Sequence, residues 1–212
     1  MAAKKSAKKS SPKAGAGLPF DPIVAAGLDE AAAMGWSHVT MEAVAARAGL
    51  GLGEVLLDVP NKTCLLLAFL KHLDARTLGP VKRIDPADST RDRLFEIVMR
   101  RFDALNEKRE GARAVVSGVS RDPAAALAAA CRLERSLAAM LEAAGISSSG
   151  LVGLVRRQGF KAVLAVTLRA WMTDDSTDLA KTMAALDRAL NRAEKLAGLA
   201  TFRGRRSEQA EA

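Results

Sequence analysis

The sequence predicts an all-α chain, and three observations carry that expectation. Of its 212 residues, 42 are Ala, the strongest helix former. Aromatic residues make up only 4% and Tyr is absent, whereas strands favour aromatic and β-branched side chains. Apolar residues recur at helical spacing between recognisable caps and breakers. Hydrophobic residues at 49% and charged residues at 26% are ordinary for a globular chain, and the length suffices for a sizeable core.

Residues 1–19 hold Lys4, Lys5, Lys8, Lys9 and Lys13 among Ala, Ser, Gly and Pro, with no acid. They carry too little apolar surface to order themselves and are expected to form a disordered basic arm. Asp21 and Pro22 then open the first helix, Asp as N-cap and Pro at the first helical position, and Gly35 ends it. Thr40 caps a second, short helix with Glu42 in its first turn, and Gly49 stops it. The run Leu50, Gly51, Leu52, Gly53 is a tight turn into another short helix reaching about Val59. Pro60 breaks it, and Asn61 caps a longer helix to Leu78. Two short helices joined by a Gly-containing turn after a longer one make a helix-turn-helix unit.

Longer helices follow. Ser89 with Asp92 reads as a capping box opening a helix over 90–107, with Leu94, Phe95, Val98, Phe102 and Leu105 as its apolar stripe. Asp122 and Pro123 open another that reaches Ala144. The stretch 151–172 is apolar on most sides and is expected to be central and largely buried. An acidic loop, 174–178, precedes a last helix whose Leu179, Met183, Leu186, Leu190, Ala193 and Ala197 step by fours and threes. That stripe calls for a helical partner, within the chain or in a second subunit. Lys181, Arg188, Arg192 and Lys195 lie off it. The division expected is a basic arm (1–19), a helix-turn-helix domain (20–74), a helical ligand-binding and dimerisation domain (75–202) and a flexible tail (203–212).

Charge is unevenly placed. The net +8 combines +5 in the arm with −4 in residues 20–74, where three cations face seven carboxylates. Several classes of function fall away. Two Cys form no disulfide framework or zinc knuckle, and His38 and His72 show no metal-ligand spacing, so no metal and no cofactor are expected. Cys64 and Cys131 read as buried thiols. No nucleophile–base set or paired carboxylates stand out, so the chain does not read as an enzyme. No apolar run is long enough to cross a bilayer and no secretory signal opens the chain, which makes a cytoplasmic location the expectation.

The segment 23–67 resembles the N-terminal domain of TetR-family transcriptional regulators. The stretch VTMEAVAARAGLGLGEVLLDVPNKTCLLLAFL carries the pattern: an apolar-Thr step into the second helix, AARAG at its end, a Gly two residues on, and an Asn-Lys step into the fourth helix. The resemblance implies a three-helix DNA-binding unit followed by a helical domain that binds a small molecule and dimerises. It places Thr40, Gly51, Leu52 and Lys62 as candidates for DNA contact; the charge of the arm adds Lys4, Lys5, Lys8 and Lys9, as cations for DNA phosphates or an anionic membrane surface, or as a solubilising tail.

The third helix departs from that family's usual polar and basic residues, reading Leu52, Gly53, Glu54, Val55, Leu56, Leu57, Asp58. It offers no donor for base edges and puts two carboxylates where phosphates would lie. Leu52, Leu56 and Leu57 cannot all turn inward, which makes them a candidate apolar contact surface.

A second resemblance lies in TLRAWMTDDSTDLAKTMAALDRALNRAEKL, which looks like the end of TetR-fold lipid-binding accessory proteins of ubiquinone biosynthesis. Two functions stand side by side: a ligand-responsive regulator, and a lipid- or isoprenoid-binding protein in peripheral contact with a membrane. Phe95, Met99, Phe102, Met140, Phe160, Leu164 and Trp171 are candidates to line an apolar ligand pocket, or they are plain bundle core. Arg156, Arg157 and Lys161 are candidates for an anionic head group, or one solvated stripe. Leu179, Met183, Leu186 and Leu190 are the candidate homodimer interface.

Overall fold

The computed structural model of the chain describes residues 21–79 and 88–208, with side chains to residue 196. The described residues form nine α-helices and one 3₁₀ turn, with no strand. The expected arm and the end of the tail lie outside them.

The predicted caps are in place. Asp21 accepts from the Ile23 N–H at 2.9 Å and opens α1 (Pro22–Met34). A 3₁₀ turn, Trp36–His38, leads to α2 (Met41–Ala48), whose cap Thr40 accepts from the Ala43 N–H at 3.2 Å. Gly49 ends α2 in the left-handed region at φ +70°, a conformation that costs other residues a steric clash. The short α3 (Leu52–Asp58) and the long α4 (Lys62–Leu78) follow, with Asn61 accepting from the Cys64 N–H at 2.9 Å. α4 runs unbroken past residues 74 and 75. Ser89 caps α5 (Thr90–Asn106), taking the Asp92 N–H at 3.1 Å and giving its hydroxyl proton to the Asp92 carboxylate at 2.6 Å.

α6 (Arg109–Val119) has no counterpart in the sequence reading. It lacks a side-chain cap, and Gly111 and Gly118 weaken its helical signal. Both glycines serve close packing instead. A Cβ on Gly111 would sit 2.2 Å from the Leu28 carbonyl oxygen of α1, and one on Gly118 would sit 2.6 Å from Trp36 Cβ. α6 thus lies directly on α1 and the 3₁₀ turn, and ties the first helices to the rest of the bundle. α7 (Pro123–Ala143), α8 (Gly150–Met172) and α9 (Ala180–Glu208) complete the order. Asp122 caps α7 through the Ala125 N–H at 3.0 Å.

One apolar core runs from Ile23 of α1 to Leu190 of α9. At its centre Phe102 and Trp171 lie with ring centroids 6.3 Å apart. α8 is not the central helix expected from its composition. Its inner face is buried through Phe160, Val163, Leu164, Thr167 and Trp171, but Leu151, Val152, Leu154, Val155 and Val166 face outward. A helix apolar all round needs cover on every side, and the chain covers only one. Cys131 is likewise exposed rather than buried, while Cys64 is half-buried.

The turn between α8 and α9 is fixed by Asp174. Its carboxylate is fully buried and accepts from the backbone N–H and hydroxyl of both Ser176 and Thr182, at 2.8 and 2.7 Å in the case of Thr182. Burial alone pushes its pKa up. The hydrogen bonds outweigh that and hold the carboxyl well below the usual range. Arg113 of α6 reaches the same turn, donating to the Trp171 and Asp174 carbonyls and pairing with Asp175 at 3.2 Å.

Candidate nucleic-acid interface

The helix-turn-helix is built on Val44, Ala45, Val55 and Val59, which are buried together with Trp36 and Val39. Of α3, Val55 alone turns fully inward. Leu52, Leu56 and Leu57 are exposed, Leu57 to 85%. Glu54 and Asp58 are exposed beside them, and no cation pairs with either among the described residues. The surface a third helix would bring to DNA is therefore apolar and acidic.

The candidate contacts are placed as follows. Thr40 is exposed, but its hydroxyl oxygen already serves as the α2 cap. Gly51 is the N-cap position of α3 and contributes no side chain. Lys62 is turned back onto its own lobe. Its Nζ donates to the Trp36 and Ser37 carbonyls at 3.3 Å each and lies 5.5 Å from the centre of the Trp36 ring. Arg47 is tied to Glu30 at 2.7 Å. Lys71 is exposed on α4. Lys4, Lys5, Lys8 and Lys9 lie outside the described residues.

The candidate pocket residues come together, but as packed core. Phe102, Met140, Phe160, Leu164 and Trp171 are buried, and Phe95 and Met99 are half-buried against them. The indole N–H of Trp171 finds no acceptor among the described residues, and the Arg113 guanidinium lies 5.8 Å from its ring centre. A void of about 10 Å³ lies instead beneath Trp36, between α1, α4 and α6. A larger groove of about 490 Å³ opens on the outside, lined by Ala170, Thr173, Ala180, Lys181, Ala184, Ala185 and Arg188.

The candidate dimer stripe is also committed within the chain. Leu179, Leu186 and Leu190 are buried and Met183 is half-buried, because α9 lays that face against α8 and α5. On the last two helices the uncovered apolar surface belongs mainly to α8, where Leu151, Val155, Ala162 and Val166 share one outward stripe, with Leu196 of α9 also exposed. The head-group candidates are engaged too. Arg156 and Arg157 donate to the Ser147 and Ser148 carbonyls, and Lys161 pairs with Glu134.

Half-buried His72 has its pKa lowered, by burial and then by Arg76. Among the described residues no group of His, Cys, Asp and Glu is arranged to hold a metal, and no helix is long and apolar enough to cross a membrane. The outer groove and the α8 stripe escaped the sequence reading. One signal was present for the stripe: Leu151, Val155, Ala162 and Val166 repeat at helical spacing within 151–172.

No protein-family model matches the chain, and no curated protein matches it. Solved structures do. A TetR transcriptional regulator from Nitrosomonas europaea superposes with TM-score 0.70 at 24% identity, over 82% of this chain and 97% of that one. A TetR regulator from Rhodococcus sp. RHA1 superposes at 0.55 and 21% identity, over 80% and 93%. The SmeT–triclosan complex does so at 0.52 and 21% identity, over 81% and 89%. The chain has the fold of TetR-type regulators over about four-fifths of its length.

Proposed function

We propose that this chain is a homodimeric TetR-type transcriptional regulator whose hold on DNA comes chiefly from its N-terminal arm and reads sequence weakly. The observation that carries the reading is the mismatch inside the helix-turn-helix. Its scaffold is complete, with Thr40, Gly49 and Asn61 all in their capping roles. Its outer face presents Leu52, Glu54, Leu56, Leu57 and Asp58, and its Lys62 is engaged with the Trp36 and Ser37 carbonyls. Such a scaffold can lie on a duplex, but attraction must come from elsewhere, and the five lysines of residues 1–19 supply it.

Two copies would pair through the outward stripe of α8, Leu151, Val155, Ala162 and Val166, rather than through the buried leucines of α9. Response to an apolar small molecule fits the same fold, and one structural neighbour is a complex with triclosan. The lipid-binding reading has less support, since the residues that suggested a head-group site are engaged with Ser147, Ser148 and Glu134.

Fluorescence anisotropy on labelled duplexes of differing sequence tests the proposal. Deleting residues 2–17 should abolish most binding and flatten its salt dependence, because each neutralised phosphate contributes to the slope. Tight, sequence-specific binding by the truncated protein at physiological salt would overturn it.

A further inference from the structure

The outer end of the helix-turn-helix carries negative charge that nothing among the described residues answers. Glu54 and Asp58 of α3 and Glu42 of α2 are exposed, and among the described residues none of the three is in an ion pair. Cations nearby in the lobe are held by other groups: Arg47 by Glu30, and Lys62 by the Trp36 and Ser37 carbonyls. Asp58 is the last residue of α3, where the helix dipole already places partial negative charge and favours a cation. Among these acids stand Leu52, Leu56 and Leu57, all exposed. Leu52 and Leu56, one turn apart, share a side of the helix.

Such a face selects its occupant. A duplex brings phosphates of the same sign, and the α3 of a second copy brings the same acids, so both are repelled. What fits is a segment that is apolar along its side chains and cationic at their tips. Lysine is built that way: its methylenes lie along apolar surface while its ammonium stays in water beside a carboxylate. Residues 1–19 have this composition, with Lys4, Lys5, Lys8, Lys9 and Lys13 among small residues and no acid. Their +5 stands against −4 in residues 20–74.

The segment is also long enough. It joins the lobe at Asp21, the cap of α1. With its 13 residues α1 is about 20 Å long. It packs on α2, and α2 on α3, and packed helices lie about 8–10 Å apart. These lengths put α3 within about 40 Å of Asp21. The chain from Lys9 to Asp21 extends to about 40 Å, and from Lys4 to about 60 Å. A tether of this length holds the lysines near α3 at millimolar effective concentration, where weak contacts between exposed charges become populated.

We propose that, in the absence of DNA, residues 4–9 of this chain lie on its own third helix, their ammonium groups at Glu54 and Asp58 and their methylenes over Leu52, Leu56 and Leu57. The consequence of this contact rests on the regulator reading: the lysines that hold DNA there are the ones α3 retains here, so α3 is an internal competitor that a duplex has to displace.

Limited digestion of the full chain by trypsin, without DNA, tests it, because trypsin cuts after lysine and a docked lysine is protected. Cleavage after Lys4, Lys5, Lys8 and Lys9, read by intact mass, should speed up about three- to tenfold at low salt in Glu54→Gln with Asp58→Asn. The difference should vanish at about 0.5 M salt, where exposed charges are screened. Glu96→Gln with Glu110→Gln removes the same charge from exposed positions of α5 and α6 and should leave the rate at the wild-type value. Carbodiimide coupling, which joins an ammonium to a carboxylate touching it, gives a second readout. In an equilibrated mixture of ¹⁴N- and ¹⁵N-labelled wild type, the arm lysines should join Glu54 or Asp58 of a chain with the same label.

Equal digestion of wild type and the α3 variant, an acceleration that high salt does not remove, or the same acceleration in the α5–α6 variant would each overturn the proposal. So would coupling of the arm to other carboxylates, or coupling across labels, which would seat the arm on a second copy. Neither measurement contains DNA. A free arm here leaves the DNA reading standing, and a failed arm-deletion experiment leaves the contact with α3 standing.

Discussion

Asp74 of α4 holds the guanidinium of Arg101 of α5 at 2.8 Å, and both side chains are almost out of water. The same carboxylate takes Arg132 of α7 at 2.6 Å and the Ser136 hydroxyl at 2.6 Å. One residue of the helix that leaves the helix-turn-helix is thereby fixed to two helices of the larger bundle. Removing the carboxylate strands a buried cation, which is costlier than never having had the pair. Asp74→Ala is expected to lower stability by about 3–5 kcal/mol in urea denaturation. Arg132→Ala should cost less, because Arg132 retains more water and Asp74 keeps Arg101.

Gly111 gives a prediction that opposes helix propensity. On propensity alone, Gly111→Ala in the interior of α6 should stabilise by up to about 1 kcal/mol. The new Cβ would meet the Leu28 carbonyl oxygen at 2.2 Å, and backbone cannot swing aside as a side chain can. A net loss of about 1–3 kcal/mol is expected, as for other overpacked positions. A higher melting temperature for the variant would show that α1 and α6 are not in close contact.

These two cases mark how far the sequence was legible. Caps at Asp21, Thr40, Asn61, Ser89 and Asp122 are local devices, each read from a residue and its neighbour within three positions, and all are used as such. α6 was not legible, because Gly111 and Gly118 answer to Leu28 and Trp36, residues more than eighty positions away. The stripe Leu179, Leu186, Leu190 was legible as apolar but not as to its partner. Periodicity gives the face of a helix and not what covers it. The same limit applies to Lys62, whose position in the Asn-Lys step suggests a phosphate contact until the Trp36 ring and two carbonyls are seen beneath it.

Asp174 makes stability depend on pH in a defined direction. Its folded pKa is depressed, so the unfolded chain binds this proton more readily. The contribution is complete above the ordinary aspartate value of about 4 and is lost as pH falls from there towards the lower folded value. Asp174→Asn replaces acceptors by an amide whose NH₂ faces donors from Ser176 or Thr182, at an expected cost of about 3 kcal/mol near neutrality. The gap between wild type and variant should stay flat from pH 7 to about 5 and shrink below about 4. A gap unchanged down to pH 2 would mean that charge is not what holds the α8–α9 turn.

Sedimentation separates the two apolar stripes of the last helices. Val155→Asp with Val166→Asp alters exposed positions of α8 and should yield a folded monomer from a dimeric wild type. Leu186→Asp puts a carboxylate into the core and should lower the melting temperature steeply before any change of mass is read. A dimer that survives the double substitution in α8 would place the contact between copies elsewhere.

The acidic face of α3 can be tested by neutralising it. Glu54→Gln with Asp58→Asn keeps the shape of both side chains and removes two negative charges from exposed positions. Little stability is at stake: exposed charges of this kind are worth within about 0.5 kcal/mol, apart from a favourable interaction of Glu54 with the helix N-terminus of about the same size. If α3 lies against a duplex, each carboxylate opposes phosphates across wet surface, where a unit pair a few ångströms apart is worth about 1 kcal/mol. Affinity for any duplex should then rise by about three- to thirtyfold at low salt, with sequence preference still weak because no base-reading donor has been gained. The gain should fade as salt screens the charges. A doubly neutralised protein that binds no better than wild type at low salt would show that α3 does not approach DNA, and the exposed Leu52, Leu56 and Leu57 would then have to meet something other than a phosphate backbone.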